Sequence, residues 1–126
     1  MLEERWRYIP GYPSYKISTY GDIVSYKREK PKVLCQNFNS NGYLHVRLSN
    51  ERKESKTLMT HRLVLMTFRG LPPRDFDGSH LDGDRTNNKL SNLTWESRTD
   101  NLARANTHTL GPDELILAVM HTGRNW

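Results

Sequence analysis

Residues 82–92, Asp-Gly-Asp-Arg-Thr-Asn-Asn-Lys-Leu-Ser-Asn, form an almost unbroken run of polar turn formers. Asp, Asn and Ser side chains bond nearby backbone groups in competition with helix and strand ladders, so such a run folds as a loop. Two short strand candidates bracket it, Ser79-His80-Leu81 before and Leu93-Thr94-Trp95-Glu96 after. Ser97-x-x-Asp100 then resembles a capping box, with Asp where Glu or Gln is usual, and opens a helix through about residue 106. A strand, a polar loop, a strand and a helix are the outcome. This order brings the end of the first strand against the first turn of the helix.

Upstream, the hydrophobic period changes twice. Residues 1–28 carry Trp6, Tyr8, Ile9, Tyr12, Tyr15, Ile17, Tyr20, Ile23 and Val24 between Pro10-Gly11, Pro13 and Gly21. Aromatic and β-branched runs between turn residues predict small strands, with a turn at 18–22 leading into a strand at 23–26. Residues 33–58 predict a hairpin. Val33-Leu34-Cys35 precedes Asn39-Ser40-Asn41-Gly42, and the return strand alternates Leu44, Val46, Leu48 against Tyr43, His45, Arg47. Cys35 is read as a small hydrophobe within a strand. From Thr60 the spacing of Leu63, Val64, Thr67 and Phe68 is helical, with Thr60 as N-cap, Gly70 past the end and Pro72-Pro73 as a stop. The tail predicts one more helix, begun by Pro112-Asp113-Glu114. The fold class is α+β, divided into a β-rich module at 1–58, a second unit at 59–108 and a helical tail at 109–126.

Composition narrows the class of protein. The longest apolar run, Leu63-Val64-Leu65-Met66, is far short of the ~20 residues that cross a bilayer, so no membrane partner is expected. Glu3, Glu4 and Trp6 argue against a signal peptide, and one cysteine excludes a disulfide framework or a four-cysteine zinc site. A soluble, cytoplasmic protein is expected. Charge is uneven. Residues 1–58 hold 11 Lys/Arg against 6 Asp/Glu, whereas residues 59–126 hold 8 of each. A basic, aromatic-rich half suits nucleic acid, because its cations displace counterions from phosphate while rings stack or wedge. The same charge also suits a plain solvated face.

His80, Asn92 and Asn101 are the residues with chemistry to offer. Hydrolysis of a phosphodiester needs a base to take a proton from water, and a neutral imidazole suits that task. It also needs a cation against the charge building on phosphate, and Asn or Asp oxygens suit a hard ion such as Mg²⁺.

At these residues the sequence resembles a known family. His61-Arg62-Leu63-Val64, Ser79-His80-Leu81-Asp82-Gly83, Thr86-Asn87-Asn88, Ser91-Asn92-Leu93-Thr94-Trp95 and Asn101 resemble the HNH endonucleases of phage and homing-intron type, whose fold is the ββα-metal finger. Trp6-Arg7-Tyr8-Ile9-Pro10-Gly11-Tyr12, Tyr15-Lys16-Ile17-Ser18 and Gly21-Asp22-Ile23-Val24-Ser25 are similar to the NUMOD class of DNA-binding motifs that precede such domains. The two likenesses together span about residues 5–106.

The resemblance implies a metal-dependent DNA endonuclease of phage or mobile-element origin, acting in the cytoplasm of the host cell. His80 matches the general base, and Asn92 matches the middle Asn that braces the loop and helps orient the histidine, so both are expected in the catalytic set. Asn101 matches a metal ligand on the helix, and one Mg²⁺ or Mn²⁺ is expected per site. His61 matches the histidine that opens the preceding helix and is read as structural. Double-stranded DNA is the expected partner, held by Arg5, Arg7, Lys16, Lys27, Arg28, Lys30 and Arg47, with the protein a monomer or weak homodimer. One position departs from the family: Ser79 stands where Asp or Asn usually supplies the second metal oxygen. Ser79 binds through its hydroxyl or a water, Asp77 or Asp82 substitutes, or metal binding is impaired. The last case leaves a DNA-binding protein on a nuclease scaffold.

Overall fold

The computed structural model describes residues 3–98. The helix expected through residue 106, Asn101 and the helical tail at 109–126 lie outside the described residues.

Alternation of apolar and polar residues builds the first sheet. Four antiparallel strands, β1 (Trp6–Ile9), β2 (Tyr12–Ser18), β3 (Ile23–Ser25) and β4 (Lys32–Val33), pair in sequence order. Tyr15 and Ile17 point inward from β2, while Lys16 between them pairs with Tyr8 and Val24 on the opposite face. The turn from β2 to β3 is held by Ser18, whose hydroxyl accepts from the backbone N–H of Tyr20 and Asp22 at 3.1 and 3.2 Å. Gly21 completes it at φ +89°, in the left-handed region that glycine enters without a steric penalty.

The second sheet has β5 (Asn37–Phe38), β6 (Leu44–Ser49) and β7 (Ser55–Met59), again antiparallel and in order. Val46 and Leu48 face the core as the alternation predicts. Three expectations are corrected here. Val33 pairs with Val24 of β3, so it closes the first sheet, and the hairpin partner of β6 is the short β5. Cys35 is exposed and lies between strands. β7 runs where no strand was assigned, because Ser55, Lys56 and Thr57 are all solvent-facing and carry no alternating signal.

The helix α1 (Thr60–Arg69) follows directly, with Leu63, Val64 and Leu65 all buried. Gly70 closes it at φ +82°, its N–H bonding the Met66 carbonyl at 3.2 Å. Thr60 is the first helical residue, not the cap. Its hydroxyl donates instead to Gln36 Oε1 at 2.7 Å, and Met59 in the N-cap position makes no side-chain cap bond. Next comes the hairpin of β8 (Phe76–His80) and β9 (Leu93–Ser97), joined through the polar loop and one 3₁₀ turn at Leu90–Asn92. Ser97 ends β9 and Arg98 directly after it is helical, which places Ser97 in the N-cap position the capping-box pattern expects.

One core unites these parts. Ile9, Tyr15, Ile17 and Ile23 of the first sheet meet Val46 and Leu48 of the second, the three helix leucine and valine positions, and Leu93 and Trp95 of β9. Trp95 is fully buried, and its indole N–H donates to the Gly70 carbonyl at 3.1 Å, while the Arg62 guanidinium lies over its ring at 5.1 Å. No helix among the described residues is long and apolar enough to cross a membrane. Trp95→Ala removes the largest core side chain and its bond to the Gly70 carbonyl. It should cost about 3–5 kcal/mol in urea denaturation. A loss below about 1 kcal/mol would mean that β9 is not anchored there.

Candidate active site

The end of β8 and the start of α1 bring two histidine rings together at a tilt. His61 opens α1 and His80 ends β8, with ring centroids 4.8 Å apart and an interplanar angle of 47°. Tyr43, the residue before β6, stacks on His61 at 5.2 Å and lies 5.9 Å from the His80 ring. Arg85 of the polar loop lays its guanidinium over Tyr43 at 4.8 Å and bonds the Asn41 carbonyl. Three rings and a cation thus form one layered cluster, with rings drawn from the β6 strand's approach, α1 and β8.

Gly78 makes room for it. A Cβ there would stand 2.8 Å from His61 Cδ2 and 3.3 Å from Leu65 Cδ1, so any side chain would evict the histidine or the helix. The imidazole of His61 is 4% exposed, and burial, with His80 and the Arg62 charge beside it, lowers its pKa to about 3. It is neutral at physiological pH.

His80 is also buried, at 8% exposure. Its Nε2–H donates to Asn88 Oδ1 at 2.7 Å. An amide oxygen only accepts, so this bond puts the ring proton on Nε2 and leaves Nδ1 unprotonated in the neutral ring. Burial lowers the His80 pKa; the Asn88 bond and the Asp82 and Asp84 carboxylates oppose that shift, and Arg85 adds to it. The net direction is downward, toward a neutral imidazole able to accept a proton.

The polar loop is held open by its own side chains. Asn92 donates from Nδ2 to Asp82 Oδ1 and to the Asn87 carbonyl, both at 2.9 Å, and its Oδ1 accepts from the Asp82 N–H at 3.1 Å. The Asn92 carbonyl takes the Leu81 N–H at 2.8 Å. Asn87 donates to Asp82 Oδ2 at 2.9 Å. These bonds hold the Asp82 carboxyl below its ordinary pKa against the opposing pull of partial desolvation. Both Asp82 oxygens therefore serve the loop, and Asp77 faces Arg98 at 3.4 Å. Ser79 is buried next to His80. Among the described residues no three His, Cys, Asp or Glu side chains converge in a way that could hold a metal ion.

Residues named from the sequence fall into two groups. His80, Asn92, Ser79 and His61 stand at or beside the hairpin's closed end, while Asn101 lies outside the described residues. The seven cations named for DNA are dispersed. Arg7 lies over Phe68 at 5.2 Å on the core-facing side of the first sheet, while Lys16 sits between Tyr8 and Tyr26 on the other face, at 4.7 and 5.5 Å. Arg47 bonds Thr57 at 3.3 Å on the second sheet, and Arg5 precedes β1. Lys27, Arg28 and Lys30 share one hollow of about 410 Å³, lined also by Lys32. Two further residues take roles that local pattern does not signal: Asn88 sits among turn formers expected to bond backbone within the loop, and Tyr43 on the expected outward strand face. Asn88 instead reaches the His80 ring, because the loop folds back over β8 at a distance no local pattern encodes.

Comparisons with known proteins agree with this arrangement. Residues 4–49 match the model of the NUMOD4 motif, and residues 58–103 match that of an HNH endonuclease. The H-N-H endonuclease F-TflII of Escherichia phage T5 is 31% identical over 88% of this chain and 58% of its own length. The DNA endonuclease I-HmuI of Bacillus phage SP01 is 32% identical over 77% of this chain and 55% of its own. A solved structure of DNA binding and cleavage by the HNH homing endonuclease I-HmuI superposes with a TM-score of 0.73 at 28% identity, covering 87% of this chain and 63% of that one. This chain spans somewhat over half the length of these two phage relatives.

The neutral His61 makes stability depend on pH. Its folded pKa lies below the unfolded value near 6.5, so the unfolded chain binds the extra proton and stability falls as pH drops from about 6.5 toward 3. Going from pH 7 to pH 5 should cost about 2 kcal/mol through this group alone. Urea denaturation at both pH values checks it: His61→Phe should lose that share, and equal pH sensitivity in both proteins would contradict the buried neutral ring.

Proposed function

This chain belongs to the HNH endonucleases of phage homing type, with the nuclease domain at residues 58–103 behind a NUMOD4 motif at residues 4–49, and we propose that it hydrolyses phosphodiester bonds of double-stranded DNA with His80 as general base. The observation that carries this reading is the His80 imidazole. It is neutral, nearly buried, and fixed through Nε2 so that Nδ1 alone can take a proton.

In the proposed reaction a water beside the scissile phosphate loses its proton to His80 Nδ1 as its oxygen attacks phosphorus, while the bond from phosphorus to the leaving sugar oxygen breaks and that oxygen takes a proton from solvent. Asn92 keeps the loop that follows His80 in shape, through its bonds to Asp82 and the Asn87 carbonyl. His61 and Tyr43 wall one side of the imidazole and prevent the ring from turning. Arg85, fixed on Tyr43, adds positive charge at the edge of the site and favours the approach of phosphate.

A hard divalent ion tolerates a site with few protein oxygens, and of its two expected ligands Asn101 lies outside the described residues. Ser79 and Asn101 are the residues that would hold it, leaving most positions to water and DNA phosphate, as suits Mg²⁺. Bound there, the ion would neutralise charge on the phosphate and the leaving oxygen. The serine hydroxyl is a weaker ligand than a carboxylate, so Ser79→Asp should strengthen metal use.

DNA would be held mainly by the basic hollow that Lys27, Arg28, Lys30 and Lys32 line, with Lys16 and its two tyrosines contributing from the same sheet. With one base per chain, one encounter cuts one strand.

Supercoiled plasmid DNA with Mg²⁺ or Mn²⁺ tests the proposal. The protein should convert it to open circle, and His80→Ala should lower the rate about 10²- to 10⁴-fold, the usual worth of a general base. Ser79→Asp should nick at least as fast as the natural protein at low metal concentration. Equal nicking by His80→Ala would refute the assignment of the base. Nicking by Ser79→Asp alone would establish a DNA-binding protein whose metal site has lost its function.

A further inference from the structure

The N-terminal motif does more than stand beside the nuclease domain. Its β2–β3 turn abuts the segment that orients His80. The Leu90 N–H donates to the Thr19 carbonyl at 2.7 Å, and the Lys89 ammonium lies over the Tyr20 ring at 5.3 Å. Gly21 is buried against Asn88 itself: a Cβ on Gly21 would stand 2.9 Å from Asn88 Cβ and 3.2 Å from the Asn88 carbonyl oxygen. Gly21 is held in turn by Gln36, whose Nε2 donates to the Gly21 carbonyl at 2.7 Å, while Gln36 Oε1 accepts from the Thr60 hydroxyl at 2.7 Å. A continuous series of contacts therefore runs from the start of α1 through Gln36 and Gly21 to Asn88, and ends on His80 Nε2.

We propose that Asn88 is the positioning residue of the general base, and that the Gly21 turn of the N-terminal motif sets it in place, so that the DNA-binding module is also a structural part of the catalytic site. The inference rests on the reading of His80 as base and deepens it. Asn88 is 5% exposed, and its Oδ1 is what His80 Nε2 meets. The tautomer of a histidine is set by the bond its other nitrogen makes, so losing this acceptor frees the proton to move to Nδ1, where it blocks base catalysis. The Gly21 backbone confines Asn88 at Cβ, close to the main chain, where a side chain cannot swing aside cheaply. A shift of this turn moves the acceptor oxygen, and with it the preferred protonation site of His80.

The experiment uses the full chain and two readouts. The ¹⁵N shifts of the His80 ring report its tautomer whether or not the protein cuts DNA, and single-turnover nicking separates rate from DNA affinity. Asn88→Leu keeps the bulk but removes the acceptor. It should give a mixed tautomer and a nicking rate at least about tenfold lower, part of the ~10²–10⁴ that a base supplies, with DNA affinity unchanged. Asn88→Asp retains an acceptor oxygen and should restore the Nε2–H signature and most of the rate. Gly21→Ala should shift the tautomer in the same direction as Asn88→Leu. Gln36→Leu, which leaves Gly21 in place but frees its carbonyl, should do so to a smaller extent and decides the question where Gly21→Ala does not fold. A wild-type tautomer in Asn88→Leu would overturn the positioning role. A wild-type tautomer in both Gly21→Ala and Gln36→Leu, or in Gln36→Leu alone when Gly21→Ala is unfolded, would overturn the role of the N-terminal turn. Absence of nicking by the natural protein would overturn the nuclease reading while the tautomer result still decides this one.

Discussion

Leu63, Val64 and Leu65 are consecutive on one helix and all three are buried. Successive helical residues point about 100° apart, so three in a row require cover around more than half of the helix circumference. No single sheet supplies that. The structure answers with the first sheet, the second sheet and the β8–β9 hairpin all packed on α1. Everything at the site follows from this placement. The first turn of the helix carries His61 to the hairpin, and a hairpin strand that approaches closely enough to be covered by His61 needs glycine at position 78.

The electrostatic character of the site has the same origin. Because the helix start is covered, His61 is shielded from water and stays neutral. His80, packed against it, is also driven toward its neutral form, although Asp82 and Asp84 pull the other way. A base that must accept a proton benefits from this balance, since it enters each encounter unprotonated. As charges, the aspartates oppose the effect. As hydrogen-bond acceptors they fold the loop: Asp82 takes the amides of Asn92 and Asn87, and Asp84 takes the Thr86 N–H and hydroxyl at 2.9 and 2.7 Å.

Much of this was legible in the residue order, and the parts that were not share a cause. The helix at 60–69, the turn before Ile23 and the two strands flanking the polar loop declare themselves through local period and turn chemistry. The strand Ser55–Met59 does not, because an exposed edge needs no alternation. Val33 could pair with either neighbour by composition, and only the packed sheet decides for β3. His80 and Asn92 stood out by spacing, but Asn88 looked like one more turn former. Its partner is an imidazole eight positions back along the chain, reached only after the loop has closed. Basic residues in the first half were visible as a group, yet strand alternation sends Arg7 and Lys16 to opposite faces, while those around the β3–β4 turn line one hollow.

The central claim is that each chain offers one oriented base and therefore one cut. The most direct measurement is a time course of supercoiled plasmid cleavage at protein concentrations where sedimentation shows a monomer. The account predicts that open circle accumulates first and that linear DNA appears only later, from a second and independent nick. Linear product from the first turnover, with no open-circle precursor, would contradict it.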